Sequence, residues 1–470
     1  MRKLLYLLLF FALLVVASVA IFRAQTCVSM QPQIPQVPAA TIDSPAHAQR
    51  LSEALQIATT YTEKGERTER NFLRWRDWLK QAFPLTHSRC QVADWRDGTT
   101  RLYKWAGTDE DAPALLLHAA YDLREPDLES LTQWRYNPFV GKIDSGYIWG
   151  AGSLQSKSAA VAILCAWEEL LKSNFSPRRT VYLLLVGDET QLNSPSVREI
   201  AAAFLQYKTP FLHILAAGSQ IHAAPFADIA NDVALVSVSH AHRLGVRLTA
   251  PNSQSLNQAL QTLKNWQPHW DSHTRANDVF LQHAAAELPF WRRLTATNRS
   301  LLGWQLQQWI QQQPRLLQAL QPHWLAIDIG SNDNSLHADV HLHLPPHCPP
   351  QQTLQTWKTL LADNSNLHID PIYQHAAIST SQEKSASFQL LQTTLKQLHP
   401  NIITLPAGSE NAASATYFQY QQTPVMQFMP LRLSSEDYQR QRSQIDERIS
   451  IEALNSMIQF YIQYIKNANI

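Results

Sequence analysis

Residues 147–157, YIWGAGSLQSK, have glycines and a closing lysine arranged like the rim of a catalytic pocket. Glycine lets a backbone turn tightly or approach a ligand closely. A pocket of this kind would place carboxylates directly before the lysine, but Gln155 and Ser156 are neutral. The stretch therefore has the outline of a catalytic site without the charged side chains that such a site would use.

Patterns for other chemistry do not stand out in the sequence. The serines of GSLQS (152–156) and AAGSQ (216–220) do not form a nucleophile elbow. The cysteines, Cys27, Cys90, Cys165 and Cys348, show no zinc-ligand spacing. In an oxidising compartment they could form disulfides, whose pairing the sequence does not determine. The net charge of +1 argues against a nucleic-acid-binding protein.

The elements that must position this loop follow from hydrophobic patterning. Several runs are apolar throughout, which is typical of strands buried on both faces. These runs are ALLLHAAY (114–121), TVYLLLV (180–186), FLHILAA (211–217) and VALVSVS (233–239). Between the first two, residues 158–175 repeat apolar side chains at helical spacing. Strand, helix and strand in this order predict an α/β fold with a parallel sheet.

The N-terminus predicts a membrane anchor. After Arg2 and Lys3, the 19 residues from Leu4 to Phe22 are apolar apart from Ser18. A run of this length can span a bilayer as one helix, and the two basic residues favour a cytoplasmic N-terminus. We therefore expect an extracytoplasmic (periplasmic) globular part. The alternative is a cleaved signal peptide with Ser18 and Ala20 as its small-residue site.

After residue 242 the pattern changes to alternating strands and helices in βαββαβ order, which is the ferredoxin-like layout. It carries a helical insertion at about 277–322. We predict a discontinuous α/β domain that contains a small α+β domain. The predicted segments are an anchor (1–23), a linker (24–42), a first α/β part (43–242), the inserted domain (243–375) and a second α/β part (376–470).

On these residues the chain resembles the dinuclear zinc hydrolases that include aminoacylase, carboxypeptidase G and vacuolar carboxypeptidase S, and it looks closest to the membrane-anchored carboxypeptidase S-like branch. The resemblance lies in DLESLTQWRYNPFVGKIDSGYIWGAGSLQSK (127–157), PRRTVYLLLVGDET (177–190) and the later DERISIEALN. It implies a zinc-exopeptidase-like α/β catalytic domain and an inserted lid that often mediates dimerisation.

The resemblance also implies a site in which two zinc ions are held by two histidines and three carboxylates. At the matching positions this chain has Ala120, Gln155, Thr190, Ala216 and Ser443. An arginine that often binds the substrate carboxylate matches Thr416. Asp122 and Glu189 match the family's acid–base pair, although structure alone could retain them, with Asp122 accepting backbone donors and Glu189 pairing with Lys157 or another base.

These matches lead to the hypothesis of a catalytically degenerate homologue that needs no cofactor and has a binding or scaffolding role in the cell envelope. Its partners would be the membrane, a second copy through the lid, or an active paralogue. Zinc lowers the pKa of a bound water from ~15.7 to ~7, and losing that activation would forfeit about 12 kcal/mol. The alternative is an active amidohydrolase or peptidase with a displaced metal site.

Several histidines bear on that alternative. His118 lies two positions before Ala120 and is interpreted as a buried core histidine, because it is displaced by ~6.5–7 Å along the strand. A mononuclear site would combine Asp188 with a histidine near a strand end, His222, His240 or His242. The lid histidines, His337, His341, His343 and His347, fit a solvated strand face better than a metal site.

Overall fold

The structure is a computed structural model. It describes residues 2–470 except 63–64, 97, 192–193, 227, 240–241, 267–274, 313–322, 333–334, 346–347, 363–366, 376–381, 409–413 and 419–422. His240 and His347, and part of the predicted helical insertion, lie outside the described residues.

The chain begins with helix α1 (Arg2–Gln25), whose side chains are mostly exposed. Its segment Lys3–Gln25 is long and apolar enough to cross a membrane, a property that it would share with a signal sequence. Residues 26–43 then form no helix or strand, and some of them are hydrogen-bonded to the globular part of the chain. The side chain of Gln31 exchanges hydrogen bonds with the backbone of Thr404 at 3.0 and 2.9 Å. The expected linker is therefore bound to the surface that it crosses.

The described chain contains one large mixed sheet, and its strands include the predicted apolar runs. In spatial order the strands are β18 (Arg432–Leu433), β10 (Ile221–His222), β11 (Val233–Ser239), β17 (Val425–Gln427), β9 (Phe211–Ala216), β4 (Ala114–Ala120), β8 (Val181–Val186), β3 (Thr100–Trp105) and β2 (Gln91–Trp95). Strand β16 (Ile403–Gly408) also pairs with β11. Strands β17, β9, β4 and β8 run parallel to one another.

Helices cover both faces of this sheet. On one face lie α6 (Ser156–Lys172), α2 (Ser44–Leu55), α13 (Ala386–Leu398) and α15 (Ile451–Ala468), and on the other lie α7 (Pro195–Gln206) and a 3₁₀ turn (Ser414–Phe418). Strand β4 supplies Leu115 and Leu117 to the first core and Leu116 to the second. The continuous apolar runs are thus explained by burial on both faces, and the α/β prediction is confirmed.

The second sheet is antiparallel, in the spatial order β13 (His323–Asn332), β14 (Ser335–Leu344), β12 (His242–Ala250), β15 (His368–His375). Helices α8 (Ser253–Asn265) and α12 (Pro350–Leu360) contribute leucines and Trp357 to its core. Along the chain these elements follow the order βαββαβ. Together with the spatial order of the strands, this is the ferredoxin-like arrangement that the sequence predicts.

Helices α9 (Arg275–Ala284), α10 (Phe290–Thr297) and α11 (Arg299–Gln311) interrupt that arrangement between α8 and β13. They pack away from the ferredoxin-like core, because α9 contacts β16 and α10 contacts α1. Their buried residues, among them Phe280, Leu306 and Trp309, share a core with Val233 and Leu405 of the large sheet.

The remaining elements are short or peripheral. Two small sheets pair β1 (Thr60–Tyr61) with β5 (Leu123–Arg124), and β19 (Arg448–Ser450) with β7 (Tyr147–Trp149) and β6 (Lys142–Asp144). The other helices are α3 (Glu69–Ala82), α4 (Pro84–Arg89), α5 (Leu128–Leu131) and α14 (Ser435–Ser443), with 3₁₀ turns at Ala285–Glu287 and Gln382–Lys384.

Candidate functional site

The candidate site lies where parallel strands β4, β8 and β9 end. Ala120 is the last residue of β4 and lies opposite Val186 of β8. Ala216 ends β9, and its neighbour across the ladder is His118 of β4. Ligand sites of parallel α/β sheets are found outside the carboxyl ends of the strands. The structure therefore brings the residues after these strands, including Asp122 and Glu189, to one edge.

Asp122 holds the turn that follows β8. Its carboxylate accepts hydrogen bonds from the backbone N–H groups of Glu189 (3.2 Å) and Thr190 (2.8 Å) and from Thr190 Oγ1 (2.6 Å). Burial raises the pKa of Asp122 to about 7, although the bonds from Thr190 work in the opposite direction. Thr190 thus donates to Asp122 with both its backbone and its hydroxyl group.

Glu189 is bound by Ser414, the first residue of the 3₁₀ turn. Ser414 N–H donates to Glu189 Oε1 at 2.8 Å, and Ser414 Oγ donates to Oε2. His118 Nε2 lies 3.0 Å from Ser414 Oγ and 3.6 Å from Glu189 Oε2. The His118 side chain is buried, and burial lowers its pKa. The predicted core histidine is therefore part of a polar cluster in which both oxygens of Glu189 are engaged.

Asp188 has a structural role at the start of α7. Its carboxylate accepts from Ser194 Oγ (2.8 Å) and from the backbone N–H (3.0 Å) and Oγ (2.6 Å) of Ser196. Hydrogen bonds of this kind satisfy donors that a helix N-terminus would otherwise leave unpaired. The Asp188 carboxylate is therefore engaged by donors at the start of α7, and the mononuclear site that would combine it with His222, His240 or His242 stays a prediction.

The backbone of the glycine-rich loop before α6 is hydrogen-bonded to the side chain of Glu447. Glu447 Oε2 accepts from Gly152 N–H at 2.7 Å. Burial raises the pKa of Glu447 to about 7, against the opposing effect of backbone donors at Gly152, Ser153 and Leu154. Gly152 has φ +87°, and a Cβ there would lie 3.1 Å from Leu123. The loop thus needs glycine at this position, and a buried carboxylate holds it in place.

Lys157 does not reach the carboxylates of the site. Its ammonium group is fully buried and donates to the backbone carbonyls of Ala54 (3.1 Å) and Ile57 at the end of α2. Burial lowers the pKa of Lys157 to about 7. The sequence suggested that Glu189 pairs with Lys157 or another base. Lys157 is not its partner, because Ser414 binds both of its carboxylate oxygens, and the base beside it is His118, whose Nε2 lies 3.6 Å from Oε2.

The other predicted positions surround the same edge. Gln155 Nε2 donates to the carbonyl of Gln441 at 3.3 Å, which places it beside α14, the helix that ends at Ser443. Ser443 Oγ donates back to Arg440 O at 3.2 Å. Thr416 lies two residues after Ser414 in the 3₁₀ turn.

Sequence reasoning missed Ser414 and the part that Glu447 plays. Ser414 follows His118 by 296 positions. It lies in ASAT (413–416), the stretch that places Thr416, but its contacts with Glu189 and His118 depend on the fold. Glu447 belongs to DERISIEALN, one of the stretches that carry the resemblance, but its contact with the glycine-rich loop joins residues 295 positions apart.

Comparison with known proteins identifies relatives over most of the chain. The sequence model of the family described as Peptidase family M20/M25/M40 matches residues 121–467. The "Probable carboxypeptidase S-like 2" of Dictyostelium discoideum is 26% identical over 450 residues, covering 89% of this chain and 84% of that protein. The human "N-fatty-acyl-amino acid synthase/hydrolase PM20D1" is 23% identical over 446 residues, covering 90% of this chain and 88% of that protein.

A solved structure shares the fold. The M20 family metallo-carboxypeptidase Sso-CP2 from Sulfolobus solfataricus superimposes with a TM-score of 0.63 at 13% identity, covering 90% of this chain and 99% of that chain. This likeness supports the assignment of the fold.

The expectation that no cofactor belongs to this chain is wrong in the light of its relatives. The family that matches comprises peptidases, and the solved relative is a metallo-carboxypeptidase. Metal binding is therefore the starting assumption for a member of this family, and independence from metal does not follow from the sequence.

The side chains present do not fit a dinuclear zinc centre at the positions that the resemblance indicates. Alanine has no donor atom, and the hydroxyl and amide groups of threonine, serine and glutamine are not the histidine, cysteine and carboxylate ligands that zinc takes. Within the described ranges, no group of three or more His, Cys, Asp or Glu side chains is placed to hold an ion.

Sequence and fold agree on one relationship. The matched region spans most of both α/β parts and the whole ferredoxin-like sheet, and the two relatives align over 84% and 88% of their lengths. The chain belongs to Peptidase family M20/M25/M40 and is a homologue of its carboxypeptidases and acyl-amino acid hydrolases.

Proposed function

We propose that this chain is a membrane-anchored, catalytically degenerate homologue of the M20 hydrolases, with a binding or scaffolding role on the outer side of the membrane. The observation that carries the proposal is the engagement of Glu189 by Ser414 through both carboxylate oxygens. A general base needs a carboxylate oriented toward the water that it deprotonates. In this chain the carboxylate at that position is hydrogen-bonded within the protein.

The neighbouring acidic groups support the same interpretation. Asp122 binds the turn at Glu189 and Thr190, and Asp188 binds the start of α7. Each of these carboxylates satisfies donors of the protein itself. We infer that Ala120, Gln155, Thr190, Ala216 and Ser443 are former metal positions and that Thr416 is a former substrate-carboxylate position.

The anchor is proposed to remain attached. Ala20 and Ala24 of α1 are buried, and Asn298 Nδ2 donates to the carbonyl of Ala20 at 3.0 Å. Cleavage after Ala20 would divide a helix at the position where it packs against the body. Arg2 and Lys3 favour a cytoplasmic N-terminus, so the body lies outside.

The ligand class is suggested by the relatives, which are described as a carboxypeptidase and as an N-fatty-acyl-amino acid synthase/hydrolase. A peptide or an N-acyl amino acid would therefore be the first candidate for the cleft. A second copy bound through the ferredoxin-like lid, or an active paralogue, would be the protein partner of a scaffold. Light scattering of the full chain in nanodiscs tests for the homodimer, and a monomer mass contradicts it.

The decisive experiment measures hydrolysis of dipeptides and N-acyl amino acids by the full chain in nanodiscs with zinc supplied. The matched variant is Glu189→Gln, which keeps an acceptor for Ser414 N–H but cannot act as a base. We expect equal rates for the two proteins, and equal shifts of the unfolding temperature by any ligand that binds. A wild-type rate about 100-fold or more above that of the variant would establish the alternative, an active metallo-amidohydrolase, because that is the contribution of a general base.

A further inference from the structure

We propose that the junction of α10 and α11 is a second membrane-contact surface, which enters the outer interface of the bilayer beside α1. This surface, the aromatic corner, consists of Phe290, Trp291, Leu301 and Trp304. Its partner is the lipid bilayer that α1 spans. The inference rests on the retained anchor of the proposed function and goes beyond it, because the contact is made by the inserted helices.

The depth of the contact between α1 and α10 carries the inference. The apolar run of α1 ends at Phe22, directly before Arg23. Asn298, between α10 and α11, donates to the carbonyl of Ala20, three residues inside that run. At 1.5 Å per residue, this contact lies about 4.5 Å below the level of Arg23. If α1 spans the bilayer, the helix junction must therefore reach the boundary between headgroups and acyl chains.

The side chains around this junction suit that depth. Trp291 is 74% exposed, Trp304 is 59% exposed and Leu301 is 53% exposed, and Phe290 is also exposed. Helices α10 and α11 pack against each other, and Arg292 lines the same cavity as Trp304. Leu301 and Trp304 lie on either side of a kink in α11 at Leu302, where φ is −120° and ψ is 17°. Tryptophan is enriched at membrane–water interfaces because its ring is apolar and its N–H group can meet water.

The connection between α1 and the inserted helices is fixed at several points. Ala24 is fully buried, and Cys27 packs against the core that contains Trp309 and Phe280. Ser29 Oγ donates to Glu287 at 2.5 Å, just before α10. A body held in this way cannot move far from the end of its anchor, so the aromatic corner remains at the membrane surface.

Three arginines of the inserted helices, Arg292, Arg293 and Arg299, are paired within the described part of the protein. Arg292 lies 3.1 Å from Asp228, and Arg299 forms an ion pair with Asp278. Arg293 donates to the carbonyls of Ala286 and Leu288. We therefore expect the contact to depend on apolar insertion, and to form on zwitterionic lipid as well as on anionic lipid.

The test uses the full chain in liposomes of zwitterionic phospholipid that carries bromine near the glycerol end of its acyl chains. In a Cys27→Ser/Cys90→Ser background, Trp291→Cys and Trp304→Cys are labelled with the fluorophore NBD. Cys165 and Cys348 remain, since both are buried. The matched control is Tyr207→Cys, because Tyr207 is 78% exposed at the end of α7, away from the inserted helices. Resistance to alkaline extraction reports separately whether α1 spans the bilayer.

We expect brominated lipid to lower the emission at positions 291 and 304 by about twofold, as for a side chain at interfacial depth, with no change at position 207. Emission at 291 and 304 that matches position 207, in a chain that resists extraction, overturns the aromatic corner and leaves the anchor standing. Labels that are shielded from water but not quenched indicate a protein partner and also overturn it. Extraction of the chain at alkaline pH overturns both the anchor and the inference.

Discussion

The carboxyl edge of the large sheet and the aromatic corner differ in how their functional groups are satisfied. At the sheet edge, Asp122, Asp188 and Glu189 accept hydrogen bonds from donors of the protein itself. At the corner, Trp291 and Trp304 present apolar area for which the described residues provide no cover. The carboxylates of the sheet edge are therefore hydrogen-bonded within the protein, while the apolar side chains of the aromatic corner are exposed.

The difference indicates where interaction free energy is available. A carboxylate already bound to two or three donors gains little from a ligand, because a new contact must replace existing hydrogen bonds. Exposed tryptophan and leucine gain free energy when they leave water, in proportion to the apolar area that is removed. The comparison therefore favours a role at the membrane surface over chemistry at the strand ends.

The largest expected effect concerns Lys157, whose position directly after the glycine-rich loop suggests catalysis but whose contacts are structural. Its pKa is lowered from 10.5 to about 7 by burial. An unfolded chain then binds more protons than the folded one between those values, so the free energy of unfolding rises as pH increases from about 7 to about 10.5. The gain over that range is about 5 kcal/mol.

The variant Lys157→Met should lose this pH-dependent rise, so its stability relative to the wild type should fall as pH increases from about 7 to about 10.5. At the upper end of that range the variant should be the less stable protein, because two carbonyls have lost their donor. Denaturant unfolding followed by tryptophan fluorescence at pH 7 and pH 9.5 measures both effects. Lys396→Met is the control, because Lys396 also donates to a backbone carbonyl but is less deeply buried. An unchanged pH slope in Lys157→Met would mean that the amine is charged in the folded protein.

A smaller effect is expected at Asp188. Asp188→Ala removes the acceptor of two hydroxyl groups and one backbone N–H at the start of α7, and should lower the free energy of unfolding by about 2 kcal/mol. Asp188→Asn keeps one acceptor oxygen and should lower it by about half as much. If both variants lost a measured activity but kept their stability, Asp188 would have a catalytic role. The contrast between the sheet edge and the aromatic corner would then be wrong.

The smallest effect is expected at Asn298, in the other region. Asn298→Ala removes the hydrogen bond to Ala20 and should cost about 1 kcal/mol, confined to the contact between α1 and α10. Hydrogen exchange of α10 in nanodiscs should therefore become faster while exchange in the large sheet stays unchanged. Asn231→Ala, which removes a side-chain bond to the carbonyl of Asn401, is the control. Uniform acceleration across the protein would show that Asn298 supports the whole fold.

The fold was largely predictable because hydrophobic period is a local property. Continuous apolar runs predicted the strands that are buried on both faces, and the βαββαβ order predicted the ferredoxin-like sheet. Helix α2 ends at Leu55, and shortly after it Thr60 and Tyr61 pair with Leu123 and Arg124. That pairing joins segments about sixty residues apart, and no local pattern records it.

The sequence by itself determined the family, the apolar anchor, and the residue types at the strand ends, since these depend on composition and order along the chain. Only the tertiary structure decided the partners of those residues. Ser414 meets Glu189 and His118 across more than two hundred positions, and Asn298 meets Ala20 across 278. Such contacts depend on how helices and strands pack, because hydrogen bonds and burial depend on distance in space and not on separation in sequence.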